Sequence, residues 1–187
     1  MGEPAAAKGE PAAPSGLVTI LFTDMEGSTT LTQRLGDAKA QEILCTHNAI
    51  IRGALQAHGG SQIKHTGDGI MASFPSASRA LECAIAIQRA LAQHNEAILR
   101  QAQDERAGWG AAQDERAGAP TAQAEPVEAP IRVRIGLNAG EPIAEEADLF
   151  GTAVQAAARI CAHAQPEQIL ISDVVRQLAA GKGFDFA

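Results

Sequence analysis

The chain has no tyrosine, one tryptophan and an aromatic share of only 3%, so it lacks the stacking surfaces on which proteins lay single-stranded nucleic acid. It has no run of basic residues, and its formal charge is -7. Both argue against a nucleic-acid partner, and an anionic substrate must be met by local groups or by a metal. No apolar run approaches the roughly eighteen residues of a membrane helix, and no export signal is visible. The expectation is a cytoplasmic chain with no membrane span. Cysteine is scarce: Cys45, Cys83 and Cys161 are odd in number and far apart. They read as small core residues in a reducing compartment, not as a disulfide framework or a zinc site. The histidines His47, His58, His65, His94 and His163 show no metal-ligand spacing and read as structural.

What is present suffices for one core, with 187 residues of which 45% are hydrophobic. Residues 1–16 are Pro/Ala/Gly-rich and repeat Gly-Glu-Pro-Ala-Ala, the composition of a disordered tail or linker. Residues 17–187 form the domain, interrupted at about 101–130 by a second low-complexity stretch. That stretch carries Ala-Gln-Asp-Glu-Arg-Ala-Gly at 102–108 and again at 112–118, followed by a Pro/Ala/Glu segment. Two copies with no apolar face are too few for a solenoid, so it reads as a surface insertion, partly helical or disordered.

The apolar, β-branched run Leu17-Val18-Thr19-Ile20-Leu21-Phe22 is expected to be a buried strand that delivers Asp24 to a helix start, with Ser28 or Thr29 as cap. Such a junction presents unpaired backbone N–H groups suited to phosphate, with a carboxylate beside them suited to magnesium. Asp37 caps a second helix that ends at residues 58–60. Over 61–74 the period falls to two around Gly67-Asp68-Gly69, which predicts a hairpin with Asp68 at its tip and Lys64 on an arm. A helix starts after Pro75-Ser76 and fades after His94. Residues 131–138 alternate as a strand, residues 139–144 turn into a shorter one, and Asp148-Leu149-Phe150-Gly151 leads into a helix to about His163. On that helix Gln155 and Arg159 share a direction at the rim of the apolar face. Residues 168–171 make a last strand, and Ser172-Asp173 caps a last helix. This order predicts an α+β fold in which helices cover one face of a mostly antiparallel sheet.

If the hairpin flanks the first strand, Asp24 and Asp68 converge, and a divalent cation is the natural counter-charge; on spacing alone the reading as two solvated turn acids is the favoured one. Lys64, Asp148 and Arg159 taken singly read as surface charges. Resemblance adds to this. The blocks Phe22-Thr23-Asp24-Met25-Glu26-Gly27-Ser28-Thr29, Ile63-Lys64-His65-Thr66-Gly67-Asp68-Gly69, Arg132-Val133-Arg134-Ile135-Gly136-Leu137-Asn138-Ala139-Gly140 and Asp148-Leu149-Phe150-Gly151 through Arg159 resemble, in order, the signature blocks of class III nucleotidyl cyclase catalytic domains. The resemblance covers Leu17 to about His94 and Ile131 to Ala187.

The resemblance implies a ferredoxin-like, palm-type fold. It implies that Asp24 and Asp68, with the Met25 carbonyl, hold two Mg2+ or Mn2+ ions per site, while Glu26, Gly27, Ser28 and Thr29 offer N–H groups to a triphosphate. Lys64 and Asp148 fall where the purine is read; a lysine donor and a carboxylate acceptor suit adenine, whereas the O6 of guanine meets the wrong partner at Asp148. Arg159 matches the arginine that stabilises the transition state, and Gln155 stands where many members carry asparagine. The implied activity is that of an adenylate cyclase: attack of the ribose 3′-hydroxyl of ATP on its α-phosphate, giving cyclic AMP and pyrophosphate. The implied assembly is a head-to-tail homodimer, each site taking Asp24 and Asp68 from one copy and Lys64, Asp148, Gln155 and Arg159 from the other. The tail fits a linker to a regulatory module. Two departures stand out: Gln155 is longer than asparagine, and the chain stops at Ala187, before the strand pair in which the family carries a further lysine for the triphosphate. Weakened ATP affinity, by about 2–4 kcal/mol, is the expectation. The rival readings are a cyclase-like dimerisation or nucleotide-sensing domain without turnover, and a guanylate cyclase.

Overall fold

The computed structural model describes residues 16–113 and 129–187; the expected tail, apart from Gly16, and residues 114–128 of the expected insertion lie outside the described residues. Strand β1 (Val18–Met25) is buried or half-buried at every position. It is the middle of a five-stranded sheet in the order β2-β3-β1-β4-β7, where β2 is Ser61–His65, β3 Ile70–Phe74, β4 Val133–Gly140 and β7 Ile169–Ile171. A strand with neighbours on both edges and layers on both faces has to be apolar almost throughout, which is why Val18 to Phe22 carry no charge. All pairings in this sheet are antiparallel except that of β4 with β7.

Residues of β1 alternate between two layers. Leu21 and Met25 face a layer made by α2 (Asp37–His58), α3 (Ala77–Gln113) and α5 (Asp173–Leu178), with Ile51, Ile87 and Val175 among the residues buried there. Val18 and Ile20 face the opposite layer, where Val154 and Ala157 of α4 (Thr152–His163) pack. The structure is thus α+β with a mostly antiparallel sheet, but α4 lies across the sheet from the other long helices, whereas the sequence predicts all helices on one face. Periodicity shows that α4 has an apolar side, not which face of the sheet receives it. The seat is cut by glycine: a Cβ at Gly136 would stand 2.2 Å from the Cys161 backbone nitrogen, and one at Gly140 would stand 2.7 Å from Ala153 Cβ.

Other details depart from the expectations. Helix α3 does not fade after His94 but continues to Gln113. The stretch is rich in Ala and Gln, with Glu and Arg among them, and one-turn pairs such as Glu96 with Arg100 support a helix without an apolar face. At its departure from the domain, Asn95 is stapled to the returning chain: its amide donates to the Ile131 carbonyl (2.9 Å) and accepts from the Ile131 N–H (2.8 Å). Asp148–Phe150 is itself a strand, β6, paired with β5 (Ile143–Glu145) in a separate two-stranded sheet. Helix α1 (Ser28–Leu35) is capped by Gly27 at φ 68°, not by the Ser28 or Thr29 side chain, and α2 by Gly36, not Asp37. Ser172 does cap α5, accepting from Val175 N–H. Among the described residues no helix is long and apolar enough to cross a membrane.

Cys83 and Cys161 are buried as expected, and burial pushes both thiols up to about 12. Cys45 is exposed, on the outer side of α2. Iodoacetamide at mildly alkaline pH is therefore expected to label Cys45 in the folded chain and to reach Cys83 and Cys161 only in denaturant, as mass spectrometry would read. Gly136→Ala forces α4 off its seat; a loss of about 1–3 kcal/mol in urea unfolding is expected, and an unchanged midpoint would contradict the close packing.

Candidate active site

Because β3 runs antiparallel beside β1, the β2–β3 turn lies at the end of β1 that carries Asp24. Three contacts lock the turn there. The Met25 N–H donates to the Asp68 carbonyl (3.1 Å), the Ile70 N–H donates to Thr23 Oγ1 (2.9 Å), and Gly69 lies so close that a Cβ would be 1.9 Å from the Thr23 carbonyl oxygen. Asp68 therefore lies beside the end of β1, its carbonyl on the N–H of Met25, the residue after Asp24. The Asp68 carboxylate accepts from Ser28 Oγ at 2.6 Å. Asp24 accepts from Arg134 Nε (2.7 Å) and Nη2 (2.6 Å), its direct cross-strand neighbour on β4. No group of three or more His, Cys, Asp or Glu side chains gathers among the described residues. Two carboxylates and a backbone carbonyl are hard oxygen donors, the kind that Mg2+ or Mn2+ takes, and the chemistry of these residues fits such an ion.

The loop after β1 partly follows expectation. The Glu26 N–H, expected to face phosphate, is taken by the Arg132 carbonyl (2.9 Å), because pairing with β4 runs past the end of β1; the Glu26 side chain is also held, 3.0 Å from Arg132 Nε. Gly27 turns the chain at positive φ, and its carbonyl accepts from the Leu31 N–H to open α1. The N–H groups of Ser28 to Thr30, in the first turn, have no intrahelical acceptor. A cavity of about 720 Å³ opens beside them, with Met25, Ser28, Thr29, Thr66 and Asp68 on its wall.

Lys64 and Asp148 come together from elements far apart in sequence. Lys64 Nζ is 2.6 Å from Asp148 Oδ2 and 5.5 Å from the centre of the Phe150 ring. The Leu149 N–H donates to Asp148 Oδ1 (2.7 Å). The Lys64 hydrogen bond, opposed by burial and joined by the Leu149 N–H and the lysine charge, holds the Asp148 carboxyl below its ordinary range. Gln155 and Arg159 are one turn apart on α4 and both exposed, and none of the ion pairs among the described residues engages Arg159. The structure thus places Asp68, Ser28 and Thr29 with Met25 on one cavity wall, holds the Asp24 carboxylate on Arg134, which also reaches the Ala162 carbonyl of α4, and pairs Lys64 with Asp148; Gln155 and Arg159 hydrogen-bond to none of these side chains among the described residues. Sequence reasoning missed Arg134, Thr23 and Phe150. Arg134 could be found only by counting the β1–β4 register, which sets it opposite Asp24.

A depressed carboxyl contributes stability that is present above the ordinary carboxylate range and is lost as pH falls through the depressed value. In Lys64→Met the Asp148 carboxyl is expected to titrate higher, nearer the ordinary value, as carboxyl-carbon NMR would follow; an unmoved titration would contradict the pairing.

The sequence model of the adenylate and guanylate cyclase catalytic domain matches residues 10–187. A Rhizobium meliloti protein provisionally named adenylate cyclase 3 is 31% identical over 166 residues, covering 89% of this chain and 24% of that protein. The adenylate cyclase of Mycosarcoma maydis is 33% identical over 176 residues, covering 90% of this chain and 7% of its own length. The chain therefore spans about a quarter or less of these two relatives. Among solved structures, an adenylate/guanylate cyclase/hydrolase from Silicibacter pomeroyi superposes with a TM-score of 0.67 at 31% identity, covering 89% of this chain and 81% of that one. A match over nearly the whole described domain, on a fold that carries the same order of signature blocks, makes this chain a member of the class III adenylate and guanylate cyclase catalytic domain family.

Proposed function

We propose that the chain is the catalytic domain of an adenylate cyclase, converting ATP to 3′,5′-cyclic AMP and pyrophosphate. The observation that carries the choice of ATP is the Lys64–Asp148 pair at 2.6 Å, with Phe150 beneath the lysine. Opened by a purine, this pair offers a donor for a ring nitrogen and an acceptor for an exocyclic amine, the pattern adenine presents. The O6 of guanine would face a carboxylate, an acceptor against an acceptor.

Asp24 and Asp68, with the Met25 carbonyl, would hold Mg2+ or Mn2+, two per site. When bound, the cations supply charge neutralisation at the phosphates and acidify the ribose 3′-hydroxyl. Gly27 and the first turn of α1, at Ser28 and Thr29, offer N–H groups to the triphosphate, and Ser28 is already tied to Asp68. Arg159 meets the charge that builds at the α-phosphate, and Gln155 orients the ribose.

The two groups of side chains work together across a head-to-tail homodimer. One copy supplies Asp24 and Asp68, and the other supplies Lys64, Asp148, Gln155 and Arg159. The exposed Ile143 and Phe150 on the small β5–β6 hairpin, 65% and 44% accessible, support this assembly, since they flank the Lys64–Asp148 pair and suit cover by a second copy. A cytoplasmic location and a regulatory module elsewhere in a longer protein belong to the same reading.

The expected results are cyclic AMP formation from ATP with Mn2+, its loss in Asp68→Ala, and weak competition by GTP. Arg159→Ala is expected to lower kcat about 100- to 1000-fold. Mixed with Asp24→Ala, it should recover activity through dimers with one intact site. ATP binding without any cyclic AMP would support a sensing domain, and mixing that restores nothing would overturn the shared site.

A further inference from the structure

The turn that carries Asp68 is held from two sides, and only one of them is the β1 lock. The other reaches it from α2. Gly67 donates its N–H to His65 Nδ1 (3.2 Å), His65 Nε2 stands 2.9 Å from Asn48 Oδ1, and His47 Nδ1 stands 3.1 Å from the same oxygen. The Gly67 amide can only donate, so His65 Nδ1 is bare and its proton sits on Nε2, given to Asn48. The Asn48 oxygen can only accept, so His47 carries its proton on Nδ1. One amide oxygen thus gathers two imidazoles, one at the end of β2 where the turn begins and one on the helix.

His47 is fully buried, in a row with Ile43, Ile51 and Leu55 on α2. Burial holds its imidazolium below the ordinary range, helped by His65 and opposed by the Asn48 hydrogen bond and the carboxylates of Asp68 and Asp24. A neutral ring with its proton on Nδ1 leaves Nε2 bare, and Nε2 has no hydrogen-bond partner among the described residues. An orphaned polar atom in a core is a cost that leucine or isoleucine at this position would not incur. What histidine supplies there, and they cannot, is the N–H to Asn48.

We propose that Asn48, anchored by His47 and bonded to His65, is a positioning residue that fixes the turn bearing Asp68 and so sets how tightly the site holds a divalent cation. This rests on the reading of Asp68 as a metal ligand. None of the three residues touches the cation or the nucleotide; each acts through the turn, as outer hydrogen-bond partners act on the ligands they orient.

The test is Mn2+ binding to the whole chain, followed as loss of the free-Mn2+ EPR signal beyond the loss that the same 3′-deoxy-ATP, which lacks the attacking hydroxyl but itself binds Mn2+, causes without protein. Asn48→Ala and His47→Leu are expected to weaken Mn2+ binding about 10- to 100-fold, and Asn48→Asp, which keeps an oxygen able to accept from both rings, is expected to restore most of it. His47→Leu is the discriminating variant: it removes the orphan, so its thermal midpoint should hold or rise while its Mn2+ affinity falls. A purely structural histidine would show the reverse. Asp68→Ala serves as reference. If Asp68→Ala binds Mn2+ normally, the metal reading falls and the proposal with it. If Asp68→Ala loses Mn2+ while Asn48→Ala and His47→Leu bind like the wild type, the proposal alone is overturned.

Discussion

The site depends on how closely two backbones meet where β1 ends. With Gly69 against the Thr23 carbonyl there is no room for a side chain, and the Met25 N–H is already committed to Asp68. The turn therefore cannot drift along the strand, and the separation of the two acids is fixed by main-chain contacts. Side chains only refine what this contact sets, through Ser28 on the Asp68 carboxylate and Arg134 on Asp24.

Three of the candidate acids have basic partners: Asp24 has Arg134, Glu26 has Arg132, and Asp148 has Lys64. These pairs are half exposed, so each is worth little to stability. Their consequence is for binding. On the proposed function, a chain of formal charge -7 that receives a polyanion cannot rely on a general positive field, and the pairs would keep the local charge near neutral until cation and nucleotide exchange with them.

Much of this was legible in the sequence, because local rules dominated where the chemistry sits. The β-branched run ending at Asp24, and Gly-Asp-Gly between two period-two stretches, specify a strand end and a hairpin tip almost independently of context. The spacing of Gln155 and Arg159 placed both on one exposed direction of α4. What was not legible depended on partners distant in the chain. Arg134 reaches Asp24 only through register, and the Glu26 N–H is lost to β4 for the same reason. The side of the sheet taken by α4 was set by two glycines of β4 whose role appears only once the helix is seated on them. Helix α3 outran its apolar pattern because propensity and one-turn pairs sustain a helix that hydrophobic periodicity does not announce.

The staple between Asn95 and Ile131 closes the chain on itself, since both hydrogen-bonding atoms of one amide meet the backbone of a residue 36 positions on. The domain therefore keeps the same two anchor points whatever length of chain joins them, so a longer arc, or a fused reporter, adds only the slowly growing entropy of a longer loop.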